Sequence, residues 1–276
     1  MKTGSYNANL YNEIRVKKEI NRLIEGIEND KINMYNCLSL MNFGDGDKVL
    51  DLGCGPGGTT KKIAEFNNKI KVYGVDREPR YIAYADGSSA GNPNITFLES
   101  DCSNTKFEDN YFDASFSRFV FQHLYKPELA MRELIRVTKN GGKIGIYEWD
   151  EGLTCFSKAP KLYSKYLKAE NTRRRFTDGD LYFGRKLYSM FRNFGLENIK
   201  VKQLFNDVIS PGREILKKGQ LWGEEPNENH TYVKLGLMTL EEIKQYYEEL
   251  EEIIDNENEY VSYGSFFVVG EVVKHE

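Results

Sequence analysis

The densest chemistry in this sequence lies in one short stretch, Val49-Leu50-Asp51-Leu52-Gly53-Cys54-Gly55-Pro56-Gly57-Gly58. A strand-like apolar run leads into it and a helical pattern leads out. Glycines at such a turn let the backbone approach a ligand closely, and the helix's first N–H groups face a negative or polar group. Gly53, Gly55 and Gly58 fit the spacing G-x-G-x-x-G, which alone is a weak pointer to a dinucleotide. Three acids narrow the choice. Asp51 sits two residues before the first glycine, where a carboxylate repels a pyrophosphate and stabilises an ammonium. Asp76 ends Val72-Tyr73-Gly74-Val75-Asp76, where an acid accepts both ribose hydroxyls. Asp101 ends Phe97-Leu98-Glu99-Ser100-Asp101, where it can accept from an adenine amine or simply cap a helix. Together they suit a ligand with an ammonium, a ribose and an adenine but no phosphates.

Other residues carry chemistry with less support. His123 follows a predicted strand and can act as a base, or pack as an ordinary helix-flanking histidine. Tyr147-Glu148-Trp149-Asp150 closes another strand on the same edge. There an acid can orient an acceptor or take its proton and Trp149 can stack on it; the plain alternative is strand packing. Arg173-Arg174-Arg175 reads as a solvated loop triplet, with anion binding as the alternative. Cys54 and Cys102 have no histidine nearby in sequence, which argues against nucleophilic catalysis. Tyr163, Tyr166, Phe176, Tyr182, Phe183 and Trp222 make two segments rich in aromatic side chains that can line a pocket or build a local core.

The elements that must hold these residues alternate. Strands are predicted at 48–52, 71–75, 95–99, 112–116 and 143–149, with helices at 59–66 and 127–138 between them. That order argues an α/β fold with a doubly wound, mainly parallel sheet. Residues 1–43 carry a helical apolar rhythm (Ile14, Ile20, Leu23, Ile24, Ile27), and 44–150 form the core. A helical insertion occupies 151–184, with a helix at 160–170; a helix at 184–194 and a strand at 199–205 follow. Residues 206–261 form a second insertion with a Glu-rich helix near 240–254, and a strand at 265–273 completes the core with 185–205.

Composition bounds the partners. The 276 residues are 40% hydrophobic and 29% charged, enough for a sizeable folded core. A net charge of −4 disfavours a nucleic-acid partner. The N-terminal residues lack the apolar core of a secretory signal, and the four cysteines show no C-x-x-C pair. No metal is expected, nor a membrane span, and the chain reads as a protein of a reducing cytoplasm.

Four ordered blocks carry a family resemblance: VLDLGCGPGG, the acid of VYGVD, SDCSNTKFEDNYFDASFSRFVFQHL and RVTKNGGKIGIYEW. Across roughly residues 45–150 the chain resembles class I S-adenosylmethionine (SAM)-dependent methyltransferases of the ubiquinone/menaquinone, small-molecule type. It departs at Asn140-Gly141-Gly142, where the family usually has Pro-Gly-Gly, and at Asp86-Gly87-Ser88-Ser89, where the family's helix is expected to end early here. The resemblance implies a seven-stranded Rossmann-like sheet of order 3-2-1-4-5-7-6 with helical lid insertions. It implies that Asp51 and the loop Gly53, Cys54, Gly55 and Gly57 hold the methionine moiety, Asp76 the ribose and Arg77 the adenine. Asp101 then faces the adenine amine, the Cys102 N–H a ring nitrogen, and the backbone of Ser117-Arg118-Phe119 the ammonium. The expected reaction is in-line methyl transfer from SAM, leaving S-adenosylhomocysteine (SAH), to a small, largely apolar or aromatic molecule. His123 is the candidate base, and Tyr147, Glu148 and Trp149 are the candidate acceptor contacts. A homodimer is compatible with this reading. A SAM-binding regulator without turnover and, less favoured, an NAD-dependent oxidoreductase stay open beside it.

Overall fold

A computed structural model describes residues 12–220 and 226–274; Trp222 lies outside the described residues. Five strands, β1 (Lys48–Leu52), β2 (Lys71–Asp76), β3 (Ile95–Glu99), β4 (Phe112–Arg118) and β5 (Thr138–Trp149), pair in parallel in the order 3-2-1-4-5. β8 (Val261–Glu271) joins β5 antiparallel, and β7 (Glu197–Asp207) pairs antiparallel with β8. A two-residue strand, β6 (Cys155–Phe156), pairs with the start of β8 and brings the sheet to eight strands. With β6 set aside, the order is the expected 3-2-1-4-5-7-6. Both late strands run longer and start earlier than their sequence pattern suggests.

The central strands are buried on both faces, which is why they read as apolar runs rather than alternations. On one face α5 (Pro127–Val137) and α7 (Leu187–Asn193) press Leu134, Val137 and Phe191 against Leu50, Ile144 and Ile146. On the other, α2 (Lys31–Met41) and α3 (Gly58–Phe66) bring Met34, Leu38 and Ile63 against Val49, Val72 and Phe267. Each such side chain contributes about 1.5–3 kcal/mol by leaving water. The two layers hold the strand ends rigid, and the site is built on those ends. α1 (Glu13–Asn29) is amphipathic, burying Val16, Ile20 and Ile27 and leaving Ile14 exposed. α4 (Pro79–Ser88) stops midway through the poorly helical stretch, as its composition suggests.

A separate layer covers the carboxyl edge of the sheet. It comprises α6 (Tyr163–Phe176), α8 (Arg213–Gln220), α9 (Thr231–Lys234) and α10 (Leu240–Asp255). Tyr246, Leu250, Ile253 and Ile254 of α10 pack with Val208, Leu216, Val261 and Tyr263. Arg213 ties α8 to the end of α10 by donating to the carbonyls of Ile254 (2.6 Å) and Glu259 (3.0 Å). A capping box of Thr239 and Glu242 starts α10 at its predicted position. α6 begins later and ends later than its pattern suggests, so Arg173, Arg174 and Arg175 form its last turn and not a loop. Among the described residues no helix is long and apolar enough to cross a membrane, and no group of His, Cys, Asp or Glu could hold a metal ion.

Candidate functional site

The glycine stretch turns sharply because three of its glycines occupy the left-handed region: Gly53 at φ +75°, Gly55 at +52° and Gly57 at +85°. The N–H groups of Gly53 and Cys54 both donate to the Val75 carbonyl (2.8 and 2.9 Å), so the loop is bolted to the end of β2. A methyl at Gly53 would lie 2.4 Å from Val120 Cγ2, and one at Gly57 2.7 Å from the Phe97 ring. Space and conformation both demand glycine there.

Asp76 accepts the Gly55 N–H on Oδ2 and the Glu78 N–H on Oδ1, each at 2.9 Å. Each oxygen keeps a second lone pair, and the residue lines the cavity beside Arg77. Burial pushes its pKa up, against the pull of those backbone N–H groups and of Arg77. Asp51 lies one layer deeper. It is 1% exposed, and Thr60 Oγ1 donates to its Oδ2 at 2.6 Å while Oδ1 is buried without a partner among the described residues. Burial pushes its pKa up to about 7, opposed by the Thr60 bond and reinforced by the nearby Asp76 charge. A cation brought to this edge would relieve both acids. The donor set thus fits an ammonium and a ribose, and offers nothing for a phosphate at Asp51.

One cavity of about 620 Å³ joins these residues to the covering helices. Gly53, Cys54, Gly55, Asp76, Arg77, Cys102, Arg118 and His123 all line it, and so does Trp149. Five expected site residues do not. Gly57 is the left-handed residue that launches α3. Asp51 sits behind the loop. Asp101 is exposed and turned away, its Oδ1 accepting from the Ser103 N–H (2.7 Å) and hydroxyl (2.5 Å).

Tyr147 and Glu148 correct the acceptor reading, because neither reaches the cavity wall. Tyr147 is buried in the core with its hydroxyl donating to Asp30 at 3.2 Å. Glu148 is fully buried and accepts the N–H groups of Val120 (2.7 Å), Phe121 (2.6 Å) and Gln122 (3.4 Å). It caps the 3₁₀ turn Phe121–His123 and so positions His123, while burial pushes its own pKa up to about 8. The alternation of side chains along a strand, Tyr147 to one face and Glu148 to the other, gave no sign that only Trp149 would meet the cavity.

His123 faces the cavity under a positive field. Burial, then the charges of Arg174, Arg22, Arg173 and Arg77, hold its pKa well below the usual value, so it is a neutral imidazole. Cys54 and Cys102 are unsuited to thiolate chemistry, since burial raises both and takes Cys102 to about 12. Arg118 points its guanidinium at Asp30 (2.7 Å) across the Phe119 ring (4.1 Å).

Sequence reasoning missed Asp30 and favoured a solvated loop for Arg173 and Arg174. Asp30, at the α1–α2 junction, is a 4%-exposed hub that accepts from Arg118, Tyr147, Asn33 (3.1 Å) and Asn206 (3.0 Å). Arg173 and Arg174 line the cavity and share Glu170, which accepts Arg173 Nε at 2.6 Å and Arg174 Nε at 2.9 Å. Burial would raise Glu170, yet those two arginines hold it down at about 2. Tyr163 and Tyr166 are wall residues as expected. Phe183 is core, Tyr182 is half-buried off the wall and Phe176 is exposed. Glu151, Tyr246 and Tyr263 complete the wall from segments far apart in sequence.

Residues 50–146 match a family model described as a methyltransferase domain. A sterol 24-C-methyltransferase of Aspergillus fumigatus is 36% identical over 115 residues, covering 40% of this chain and 29% of that protein. A demethylmenaquinone methyltransferase of Paenarthrobacter aurescens is 32% identical over 122 residues, covering 44% and 46%. Among solved structures, phosphoethanolamine N-methyltransferase 2 of Haemonchus contortus, complexed with phosphomonomethylethanolamine and SAH, has a TM-score of 0.59 at 20% identity. It covers 88% of this chain and 52% of that one. The chain spans less than half the length of the curated relatives it matches. The glycine loop and the strand-end acids Asp51, Asp76 and Asp101 all fall within the stretch that is similar to a methyltransferase domain.

Proposed function

We propose that the protein transfers a methyl group from SAM to a small molecule with a largely apolar or aromatic body. The observation that carries this is a single cavity, open to the glycine loop, Asp76 and Cys102 on three neighbouring strand ends and closed over by aromatic side chains of the lid. Asp76 and Arg77 would hold the ribose and adenine end, with the Cys102 backbone beside them, and the loop Gly53–Gly55 the amino-acid end. Asp51 acts through the loop and Thr60, and Asp101 is a rim contact at most. When bound, SAM supplies an electrophilic methyl carbon and a neutral thioether as leaving group.

The chain's own contribution is alignment and exclusion of water. Trp149 at the end of β5 and Tyr163, Tyr166 and Leu167 of α6 give the cavity a largely apolar wall. Glu148 fixes the turn that presents His123, and the arginines keep that imidazole neutral and able to accept a proton from an acceptor group. Division into a core (44–150, 185–205 and 262–276), an N-terminal helical segment and two lid insertions belongs to this proposal, as do a cytoplasmic location and a homodimer. Calorimetric titration with SAM, SAH and NAD tests the cofactor. Micromolar binding of the first two and none of NAD is expected; the reverse pattern would remove the reading. Formation of SAH with a bound acceptor then separates an enzyme from a binding protein.

A further inference from the structure

Four acids lie at the end of β5 or in the lid, Glu148 and Asp150 buried and Glu151 and Glu170 half-buried, and three of them are neutralised or solvated by protein. Glu148 takes three backbone N–H groups, Asp150 takes Arg185 (2.6 and 2.9 Å), and Glu170 takes Arg173 and Arg174. Glu151 is different. Its Oε2 accepts from Trp149 Nε1 and its Oε1 from the Tyr163 hydroxyl, both at 3.0 Å, and no Lys or Arg pairs with it among the described residues. It nevertheless lines the cavity. The charge that bears on it most is Glu170, of the same sign, which together with burial pushes its pKa up.

The surroundings of Glu151 are aromatic. Trp149 stacks on Tyr263 (5.8 Å between centroids), Tyr166 stacks on Tyr246 (4.1 Å), and all four rings line the same cavity with Tyr163. Tyr263 is 4% exposed, and its hydroxyl is buried with no hydrogen-bond partner among the described residues. An unpaired carboxylate, an unpartnered phenol and several ring faces share one requirement: a group that is positive, donates hydrogen bonds and tolerates aromatic contact. An uncharged apolar ligand would seal Glu151 away from water with the Trp149 and Tyr163 hydrogen bonds but no counter-charge.

We infer that the lid end of the cavity is a subsite for an ammonium group carried by the methyl acceptor, with Glu151 as counter-charge, Tyr263 as hydrogen-bond acceptor and the rings of Trp149, Tyr163, Tyr166 and Tyr246 as its walls. The word acceptor rests on the methyltransferase reading; the cation subsite does not. Arg173 and Arg174 line the same cavity but are paired with Glu170, so they leave Glu151 without a counter-charge.

Benzylammonium and benzyl alcohol, nearly equal in shape and different in charge, are the probes, titrated calorimetrically into the SAH-saturated protein at neutral pH. Benzylammonium is expected to bind at least tenfold tighter. Glu151→Gln should reduce that preference below threefold without changing SAH affinity, and Tyr263→Phe, which keeps the ring, should weaken benzylammonium several-fold. Equal binding of the two probes to the unaltered protein overturns the subsite, whatever the variants do. A preference that persists in folded Glu151→Gln overturns the role of Glu151. Benzylammonium selectivity in a protein that fails to bind SAH would keep the cation subsite and remove the methyltransferase reading instead.

Discussion

The two halves of the cavity are built by different means. The floor, from the glycine loop to Cys102, is backbone held by backbone: left-handed glycines, N–H groups donated to the Val75 carbonyl, and a strand-end acid that clamps Gly55 and Glu78. Its parts come from residues 51–102 and rest on the rigid sheet. The roof is side chain on side chain. Tyr166 of α6 lies on Tyr246 of α10, and Trp149 of β5 on Tyr263 of β8, contacts joining residues about a hundred positions apart. A floor of this kind tolerates little change and recognises one ligand; a roof of this kind can be recomposed without disturbing the sheet. On the proposed reading the first holds the cofactor and the second chooses the acceptor.

Breaking the floor should produce the largest effect. Asp76→Ala removes the predicted ribose contacts and the clamp on the loop together. Charge-assisted hydrogen bonds contribute about 1.5–3 kcal/mol each, so SAM affinity should fall by about 3 kcal/mol or more. Calorimetry on the folded variant checks this, and unchanged affinity would take Asp76 out of the site.

Glycine substitutions contrast the two halves more sharply. Gly53→Ala must place a methyl 2.4 Å from Val120 at a positive φ, and should cost roughly 2 kcal/mol of folding stability or more. Gly219→Ala in α8 meets nothing within 4 Å and should be neutral or stabilise by up to about 1 kcal/mol. Denaturant unfolding of both variants reads the difference. Equal costs would mean that floor and roof are equally constrained.

The same contrast explains what could be read in the sequence. The floor is local: a strand, a glycine turn and an acid at each strand end leave their spacing in the text, so the loop, Asp76 and the alternation of strands and helices could be read from it, whereas the order of the strands came from the family resemblance. Asp101 misleads because a strand-end acid looks the same whether it faces a ligand or closes an Asx turn on Ser103. The roof leaves no such spacing. Glu151 stands one residue beyond the stretch that drew attention, and nothing in the sequence distinguishes it from Asp150, which Arg185 neutralises. Arg173 and Arg174 read as a loop because their helix has little amphipathic signal; the contact with Glu170 inside that helix turns them to the cavity.

Glu148 joins the halves, and it offers a pH test of the joint. Its folded pKa, near 8, lies above the ordinary glutamate value of the unfolded chain. The native state therefore binds more protons than the unfolded state between those values, and stability falls as pH rises toward and through 8. The loss between pH 7 and 9 attributable to this residue should be about 1 kcal/mol. Glu148→Gln keeps one carbonyl oxygen for the backbone N–H groups and cannot ionise, so its stability should be flatter over that range. A wild-type curve no steeper than that of the variant would mean that Glu148 is charged and solvated, not sealed beneath the turn.

The finest test asks whether the roof acts on the floor at a distance. After burial, the strongest influence on His123 is the charge of Arg174, which reaches over from α6 and donates to Gln122 Oε1 at 3.2 Å. Arg174→Gln removes that charge, touches no strand and leaves the Glu148 clamp intact. The His123 pKa should then rise toward the ordinary histidine value, because a neighbouring positive charge disfavours the imidazolium. The sign is fixed by the cause: losing a cation can only favour protonation. Burial and the charges of Arg22, Arg173 and Arg77 persist, so the rise is partial and folding is barely affected. Carbon-13 titration of labelled histidines follows it, with the signal assigned by its loss in a His123→Asn control. An unmoved or lowered titration would mean that α6 does not stand over the strand ends, and that roof and floor are electrically independent.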